Sequence, residues 1–320
     1  MSGSPLDALK DEPALLLAVS GGPDSTALML MAVEWARAES RPKLYTATVD
    51  HGLRKESAAE AAEVGRLAEI LGAPHAILRW EGDKPAARLQ ERAREARYRL
   101  LGEEARRVGA RVVVTAHHLD DQAETVLLRL TRGSGVAGLA GMAARTRRGD
   151  IEIARPLLDW SKSALAAVCE ARGVAFARDP SNDDTRFARP RLRRLAGVLA
   201  AEGLDALALA RLARRAAAVE TALARQTDAG EARLRLAATG RCAAQALAAE
   251  PVEIVRRLLT RAIAGIVGAP PPFEAIERIA AELVAAIEEG RRFAANVGAV
   301  LVGHDGRGEV WLKPEPPRRG

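Results

Sequence analysis

Short apolar runs alternate with helix-period stretches through the first 180 residues of the chain. The runs are Leu15–Val19, Lys43–Asp50, His75–Trp80 and Arg111–His117, with Ile151–Leu157 as a further candidate. Between them, segments near 24–38, 56–71, 86–108, 120–131 and 161–172 are periodic or Ala-rich. That alternation predicts βαβ units, hence an α/β fold with a parallel sheet flanked by helices on both faces. In such sheets the ligand crevice lies beyond the C-terminal ends of the strands. Each chemically distinctive segment of this chain falls just after a predicted strand.

From about residue 186 the pattern changes to long Ala/Arg/Leu helices with no intervening strand. A smaller α+β unit is expected after about 220. Its expected parts are helices near 251–266 and 273–289, separated by Pro270-Pro271-Pro272. A terminal hairpin is expected from Val297–Val302 and Glu309–Leu312, joined across Asp305-Gly306. The tail KPEPPRRG is expected to lack structure. The expected division is therefore a catalytic domain over 1–185, a basic helical linker over 186–220 and a C-terminal domain over 221–320.

Composition narrows the function classes. The 320 residues are 48% hydrophobic but only 3% aromatic, so the core must rest on Leu, Val, Ile and closely packed Ala. The net charge is +6, and it is concentrated: residues 186–225 hold nine arginines against Glu202, Asp205 and Glu220. A localised basic stretch points to a polyanionic partner better than the overall charge does. Cys169 and Cys242 form no C-x-x-C, so neither a disulfide framework nor a zinc cluster is read from them. No signal pattern begins the chain, and no apolar run approaches the ~18 residues of a membrane span. A cytoplasmic protein is expected.

The run Leu15–Val19 is followed by Ser20-Gly21-Gly22-Pro23-Asp24-Ser25 and then the periodic run Ala27–Ala36. This is strand, tight loop, helix. The paired glycines let backbone approach an anion, and the free N–H groups of the new helix point at it. Ser20 and Ser25 add hydroxyl donors. The dipole alone contributes only about 0.3–1 kcal/mol, so several donors must act together. For two adjacent glycines by themselves, a plain βα turn capped by Asp24 or Ser25 is the better reading; the whole string is more specific. It is no Walker A loop, because Gly-Lys-Ser/Thr is absent, and it resembles the pyrophosphate loop of the N-type ATP pyrophosphatases. Gly133-Ser134-Gly135-Val136-Ala137-Gly138 matches G-x-G-x-x-G, but it follows a helical stretch rather than a strand. It reads as a helix stop and a flexible loop.

Two further strand ends carry titratable groups. Asp50-His51-Gly52-Leu53-Arg54 closes the second strand, where an acidic residue commonly meets a ribose hydroxyl and Arg54 can reach a phosphate; a turn capping the next helix fits equally well. His117-His118-Leu119-Asp120-Asp121-Gln122-Ala123-Glu124 closes the fourth. With a helix starting near Asp120, Asp121 and Glu124 share a face at i, i+3. These carboxylates can hold magnesium, position an amine or polarise an acceptor, beyond simply favouring the helix dipole. A transition-metal site from His117, His118 and Asp121 is the rival reading.

SGGPDS at 20–25, VDHGLR at 49–54, EARYRLL at 95–101, TAHHLDDQAETVLLRLTRGSGVAGLAGM at 115–142 and DPSNDD at 179–184 together are similar to the tRNA(Ile)-lysidine synthetase family. The resemblance covers roughly residues 15–195. It implies an adenine nucleotide α-hydrolase-like catalytic domain and a small appended tRNA-binding domain. It also implies ATP and Mg2+ as cofactors, with a CAU-anticodon tRNA(Ile) and free L-lysine as substrates. The wobble cytidine would be adenylated at its C2 oxygen, releasing pyrophosphate, and lysine's ε-amine would then displace AMP. Ser20 to Ser25 would cradle pyrophosphate, while Asp50, His51, Arg54 and Arg97 would contact nucleotide. His117, Asp120, Asp121 and Glu124 would line the reaction centre, with Asp24 and Asp121 on magnesium and Glu124 assisting adenylation or orienting the amine. On residues alone, Arg97 reads as a solvated helix arginine.

The family's Arg-Asn-x-Ile-Arg segment is here Arg189-Pro190-Arg191-Leu192-Arg193, which removes an amide side chain; Pro190 is tolerated at a first helical position. Arg186, Arg189, Arg191, Arg193 and Arg194 are candidates for RNA phosphate contacts, balanced against a solvated basic helix start. A tRNA thiolase sharing the loop would need paired cysteines, and a metal-dependent phosphohydrolase would make no AMP and pyrophosphate. A non-catalytic RNA- or nucleotide-binding protein is the third rival, and a homodimer is left open.

Overall fold

The computed structural model describes residues 3–37, 41–54, 56–82, 84, 88–176 and 188–315. The chain separates into two compact units, residues 1–217 and 218–320. A 3-10 turn at Asp7–Leu9 precedes the first unit's elements. These are β1 (Ala14–Ala18), α1 (Pro23–Ala36), β2 (Lys43–Asp50), α2 (Ser57–Ile70), β3 (His75–Arg79), α3 (Leu89–Arg107), β4 (Val112–Val114) and α4 (Leu119–Leu130). There follow α5 (Val136–Leu139), β5 (Arg145–Arg148), β6 (Ile151–Ala154), α6 (Lys162–Ala171), α7 (Ala188–Ala201) and α8 (Ala206–Leu234), within which the unit boundary falls.

The sheet order is β3-β2-β1-β4-β6-β5. All neighbours are parallel except β5, which pairs antiparallel with β6. β1 explains the arrangement. Its five residues are all buried because both faces are covered, which is why it reads as an unbroken apolar run. Leu15, Leu17 and Val19 pack with α1 and α6, whereas Ala14, Leu16 and Ala18 share a core with Tyr98 and Leu101 of α3. The chain leaves β1 for β2 and β3 on one side, then returns to β4 and β6 on the other. The strand order therefore switches between β1 and β4, and their C-terminal loops part there to open a crevice.

β5 was not expected. Its sequence, Arg-Thr-Arg-Arg, has no apolar alternation, and it is an exposed edge strand in which charge discourages further pairing. The fifth expected strand is shorter, ending at Ala154. Pro190 is the third residue of the described helix α7 rather than its first, and it still lies in the opening turn, where N–H groups have no intrahelical acceptor.

The second unit contains α9 (Leu236–Thr239), β7 (Arg241–Ala243), α10 (Ala244–Ala248), α11 (Val252–Val267), α12 (Phe273–Glu288), β8 (Phe293–Val297), β9 (Val300–His304) and β10 (Glu309–Pro314). It carries an antiparallel sheet in the order β7-β10-β9-β8, and α11 and α12 contribute Ile254, Leu258, Ile279 and Leu283 to its core. The expected strand 297–302 is broken because Gly298, at φ +62°, turns the chain between β8 and β9. The expected turn at Asp305 does form. The Asp305 carboxylate accepts the N–H groups of Arg307, Gly308 and Glu309 at 2.7, 2.9 and 3.0 Å. Lys313 and Pro314, expected in the tail, close β10; residues 316–320 lie outside the described residues. Among the described residues no helix is long and apolar enough to cross a membrane.

Gly303 of β9 sits opposite Trp311 of β10, and a Cβ there would run into the indole. Gly303→Ala is therefore expected to displace the indole and destabilise the protein by about 1–3 kcal/mol, read by chemical denaturation. An unchanged midpoint would show that the indole moves without cost.

Candidate active site

The phosphate loop follows β1 directly. Gly21 has φ +85°, and a Cβ on it would meet Val64 of α2 at 3.1 Å, so only glycine fits the turn without strain. Gly22 is the N-cap of α1 and Pro23 opens the helix, its fixed φ suiting that place. Ser25 organises the loop. Its hydroxyl receives the Ser20 N–H at 3.0 Å, donates to the Gly22 carbonyl at 3.1 Å and lies 3.1 Å from the Ser20 hydroxyl. The result is a preformed turn with helix N–H groups facing the crevice.

The loop after β4 lies beside it. His118 is the N-cap of α4, and Asp121 accepts its N–H at 3.1 Å in a capping box. The buried His118 ring also collects carboxylates: Nε2 is 3.5 Å from both Asp24 and Asp121, and Nδ1 is 3.5 Å from Asp120. Burial opposes a charge on this ring, but the contacts to Asp120 and Asp24 and the Asp121 charge outweigh it and raise the pKa to about 10. The Asp121 N–H also lies 3.3 Å from Nδ1, a contact that needs an unprotonated nitrogen. Both cannot hold at once. Three carboxylates around one ring outweigh one amide, so the imidazolium is the ground state.

The neighbouring His117 behaves oppositely. Burial first, then the charges of Arg97, Arg155, Arg94 and Arg189, lower its pKa to about 3, and its Nδ1 is 2.8 Å from the Thr115 hydroxyl. It is a neutral imidazole. The rival metal site from His117, His118 and Asp121 does not assemble: among the described residues no three such side chains are placed to hold a metal ion.

The remaining carboxylates divide by how fully they are used. One oxygen of Asp50 accepts the Gly52 N–H at 2.8 Å and the Ser57 hydroxyl at 2.7 Å. Burial pushes its pKa up, and these two bonds outweigh that and hold it down, so Asp50 shapes the strand-end turn. Asp120 accepts the Lys162 N–H at 2.9 Å and is held at about 2, chiefly by the contact with His118. Burial raises the pKa of Asp121, against the nearby His118 charge. Glu124 is 7% exposed, and Arg193 brings two nitrogens, each at 2.7 Å, to its Oε1. Among the described residues of the site, two buried carboxylate oxygens accept no hydrogen bond, Oδ1 of Asp24 and Oε2 of Glu124; outside it, Oε1 of Glu152 and Oε2 of Glu231 are in the same state.

The cations are arranged around them. Arg54 pairs with Glu60 at 2.8 Å. Arg97 is partly buried, acts on both His51 and His117, and pairs with no carboxylate among the described residues. Burial and then Arg97 lower the pKa of His51, whose ring meets Trp80 edge to face at 6.0 Å. Arg189 reaches the Thr125 hydroxyl at 3.5 Å, and Arg191 is exposed on α7. Arg186 and the DPSNDD segment lie outside the described residues.

Sequence reasoning missed Arg155. It is 8% exposed at the C-terminal end of β6, donates to the Ala143 carbonyl at 2.8 Å and has an unpartnered Nε. The strand-end rule that found the other segments would have found it. Also missed was the anchoring of the glycine loop, expected to be flexible. Gln122 exchanges hydrogen bonds with the Met142 backbone at 2.6 and 2.9 Å, and Arg129 donates to the Gly138 and Gly141 carbonyls at 2.7 Å each.

Comparison with known proteins identifies this arrangement. A sequence model described as the PP-loop domain matches residues 4–200. The tRNA(Ile)-lysidine synthase of Rhodopseudomonas palustris is 49% identical, over 97% of this chain and 93% of its own length. The chain belongs to the tRNA(Ile)-lysidine synthase family. The synthases of Methylobacterium nodulans and Bradyrhizobium diazoefficiens are 50% and 48% identical, covering 95% and 97% of this chain and 91% and 92% of theirs. As a tRNA(Ile)-lysidine synthase family member it is a ligase of tRNA modification that uses ATP. Among solved structures, the U34-tRNA thiolase NcsA of Methanococcus maripaludis superposes with a TM-score of 0.57. That match covers 65% of this chain and 74% of the thiolase at 17% identity, a likeness of fold alone.

Two measurements test this geometry. Gly21→Ala is expected to weaken ATP binding at least about tenfold by calorimetry, since the strained turn costs about 1–2 kcal/mol before any ligand contact is lost; undiminished affinity would remove the loop from the nucleotide site. The His118 pKa is raised above its ordinary 6.5, so its stabilising contribution is complete below that pH and lost as pH rises through about 10. The stability gap between wild type and His118→Asn should accordingly shrink between pH 7 and 10, and a constant gap would show the ring to be neutral.

Proposed function

We propose that this chain ligates L-lysine to C2 of the wobble cytidine of a CAU-anticodon tRNA(Ile) through an adenylated RNA intermediate. The observation that carries the reading is the pair of unpartnered, buried carboxylate oxygens, Asp24 Oδ1 and Glu124 Oε2, in the loop and helix beyond adjacent strands. A buried carboxylate oxygen without a partner is costly, and each of these marks a place for a cation that arrives with substrate. One lies in the phosphate loop, the other two turns into the helix that opens with His118.

In the first step the cytidine C2 oxygen attacks the α-phosphate of ATP and pyrophosphate leaves. The loop from Ser20 to Ser25 receives the pyrophosphate through helix N–H groups and hydroxyls, and Arg97 with His51 borders the nucleotide. Asp24 and Asp121 would hold a magnesium ion, because both offer hard oxygen donors beside the same His118 ring and Asp24 keeps its Oδ1 bare. Magnesium bound there would neutralise charge on the departing pyrophosphate. Only two protein carboxylates are engaged, and phosphate and water supply the rest of such a shell.

In the second step the ε-amine of lysine attacks C2, and AMP departs carrying the former C2 oxygen. Glu124 Oε2 accepts a hydrogen bond from the ammonium and takes up the proton it must lose, leaving the free amine beside the acceptor. His117, neutral and bordered by arginines, offers a hydrogen bond at the reaction centre without adding charge. Arg189 and Arg191 lead the RNA backbone toward the crevice, and residues 221–320 form the smaller tRNA-binding domain. The curated relatives match over nearly the whole chain, this segment included.

Labelled lysine is expected to enter a CAU-anticodon transcript but not a GAU-anticodon control, with AMP and pyrophosphate formed together. Asp24→Ala should lower the rate at least about hundredfold, as loss of a group acting on developing charge does. Equal labelling of both RNAs, or none, sinks the assignment.

A further inference from the structure

Arg193 stands in the basic segment that the sequence assigns to RNA phosphates, yet its guanidinium is committed inward. Nε and Nη2 both reach Oε1 of Glu124 at 2.7 Å, while Oε2 of the same carboxylate is buried and unpartnered. A carboxylate held by one oxygen has a fixed plane, so its second oxygen has a fixed direction. We infer that Arg193 is a positioning residue for the amine-binding carboxylate: it orients Glu124 so that Oε2 can receive lysine's ammonium. The inference rests on the proposed function above.

The helix that carries Arg193 adds a consequence. No side chain of α7 is buried, and the polar contacts between α7 and α4 include the Arg193–Glu124 pair and the Arg189–Thr125 bond. A helix seated this way has little apolar area fixing its position, so the ion pair both aims Glu124 and locates α7. Exposed arginines of the same helix, such as Arg194, face solvent where RNA arrives. Seating of RNA on α7 and completion of the lysine site thus share one element, and Arg193 is the contact between them.

Steady-state kinetics with the full-length enzyme and a CAU-anticodon transcript decide the matter. Arg193→Gln is expected to raise KM for lysine about tenfold while KM for ATP and for tRNA stay within about twofold, the pattern of a lost substrate-orienting contact. Arg193→Lys restores the charge without the fork and should recover part of the loss. Arg194→Gln should give the opposite pattern: weaker RNA binding, a salt slope reduced by about one, and an unmoved lysine KM. If Arg193→Gln instead raises KM for tRNA and flattens the salt slope while KM for lysine holds, Arg193 is an RNA phosphate ligand and the inference is overturned. Unmoved values for all three substrates overturn it too. Should Arg193→Gln fail to fold by thermal melting, Arg193→Lys decides alone, a severalfold rise in lysine KM supporting the inference and no rise defeating it. A wild-type enzyme that labels no RNA defeats the proposed function instead, so the two failures are distinguishable.

Discussion

Burial of β1 on both faces is the constraint from which the active site follows. A strand with Leu15 and Leu17 on one side and Ala14, Leu16 and Ala18 on the other must have helices above and below it. Its two edges must then be filled by β2 and β4 in parallel. Parallel neighbours place their C-terminal loops at the same end of the sheet, and the reversal of strand order between β1 and β4 makes those loops diverge. The phosphate loop and the His117–Glu124 segment, about a hundred residues apart in sequence, meet for that reason alone.

Charge is then sorted across the crevice. His117 and His118 are consecutive residues leaving β4, and successive side chains of an extended segment point to opposite sides. One enters a surround of arginines and is held neutral, with a pKa near 3; the other enters a ring of carboxylates and is held charged, with a pKa near 10. The identity of the residue does not set its protonation. The side of the crevice does, and the two sides suit the two halves of the chemistry. The arginine side, with Arg97 and Arg155, suits anionic groups, whereas Asp24, Asp121 and Glu124 suit cations.

The sheet and the site were legible in the sequence to different depths. Strands with covered faces announced themselves as apolar runs, and the helices between them by period, so the α/β architecture was readable. β5 was not, because an edge strand of arginines carries no apolar pattern, and Gly298 split a run that looked continuous. Within the site, position after a strand picked out segments that the fold brings to one crevice, but not the partners of each residue. Asp50 and Arg54 were candidates for nucleotide contact. The folded chain gives Asp50 to a turn and Arg54 to Glu60, with partners seven and six residues along the chain. Arg193 was a candidate for RNA, and its partner lies 69 residues back, in a helix whose proximity only the tertiary structure supplies.

These cases share a criterion sharper than residue type. A carboxylate whose oxygens are met by backbone N–H groups or hydroxyls, as in Asp50, has spent its capacity on the fold. One left with a buried bare oxygen, as in Asp24 and Glu124, retains an unmet electrostatic demand that folding alone does not satisfy. In the crevice, it is a demand that the proposed substrate cations would meet. The phosphate loop therefore acquires its meaning from Asp24: the glycines and Ser25 make an anion cradle, and a bare carboxylate oxygen beside such a cradle is repelled by the anion unless a cation lies between them. Anion, cation and carboxylate in that order are what the proposed magnesium–phosphate site would require, and a simple capped turn on the same backbone would not.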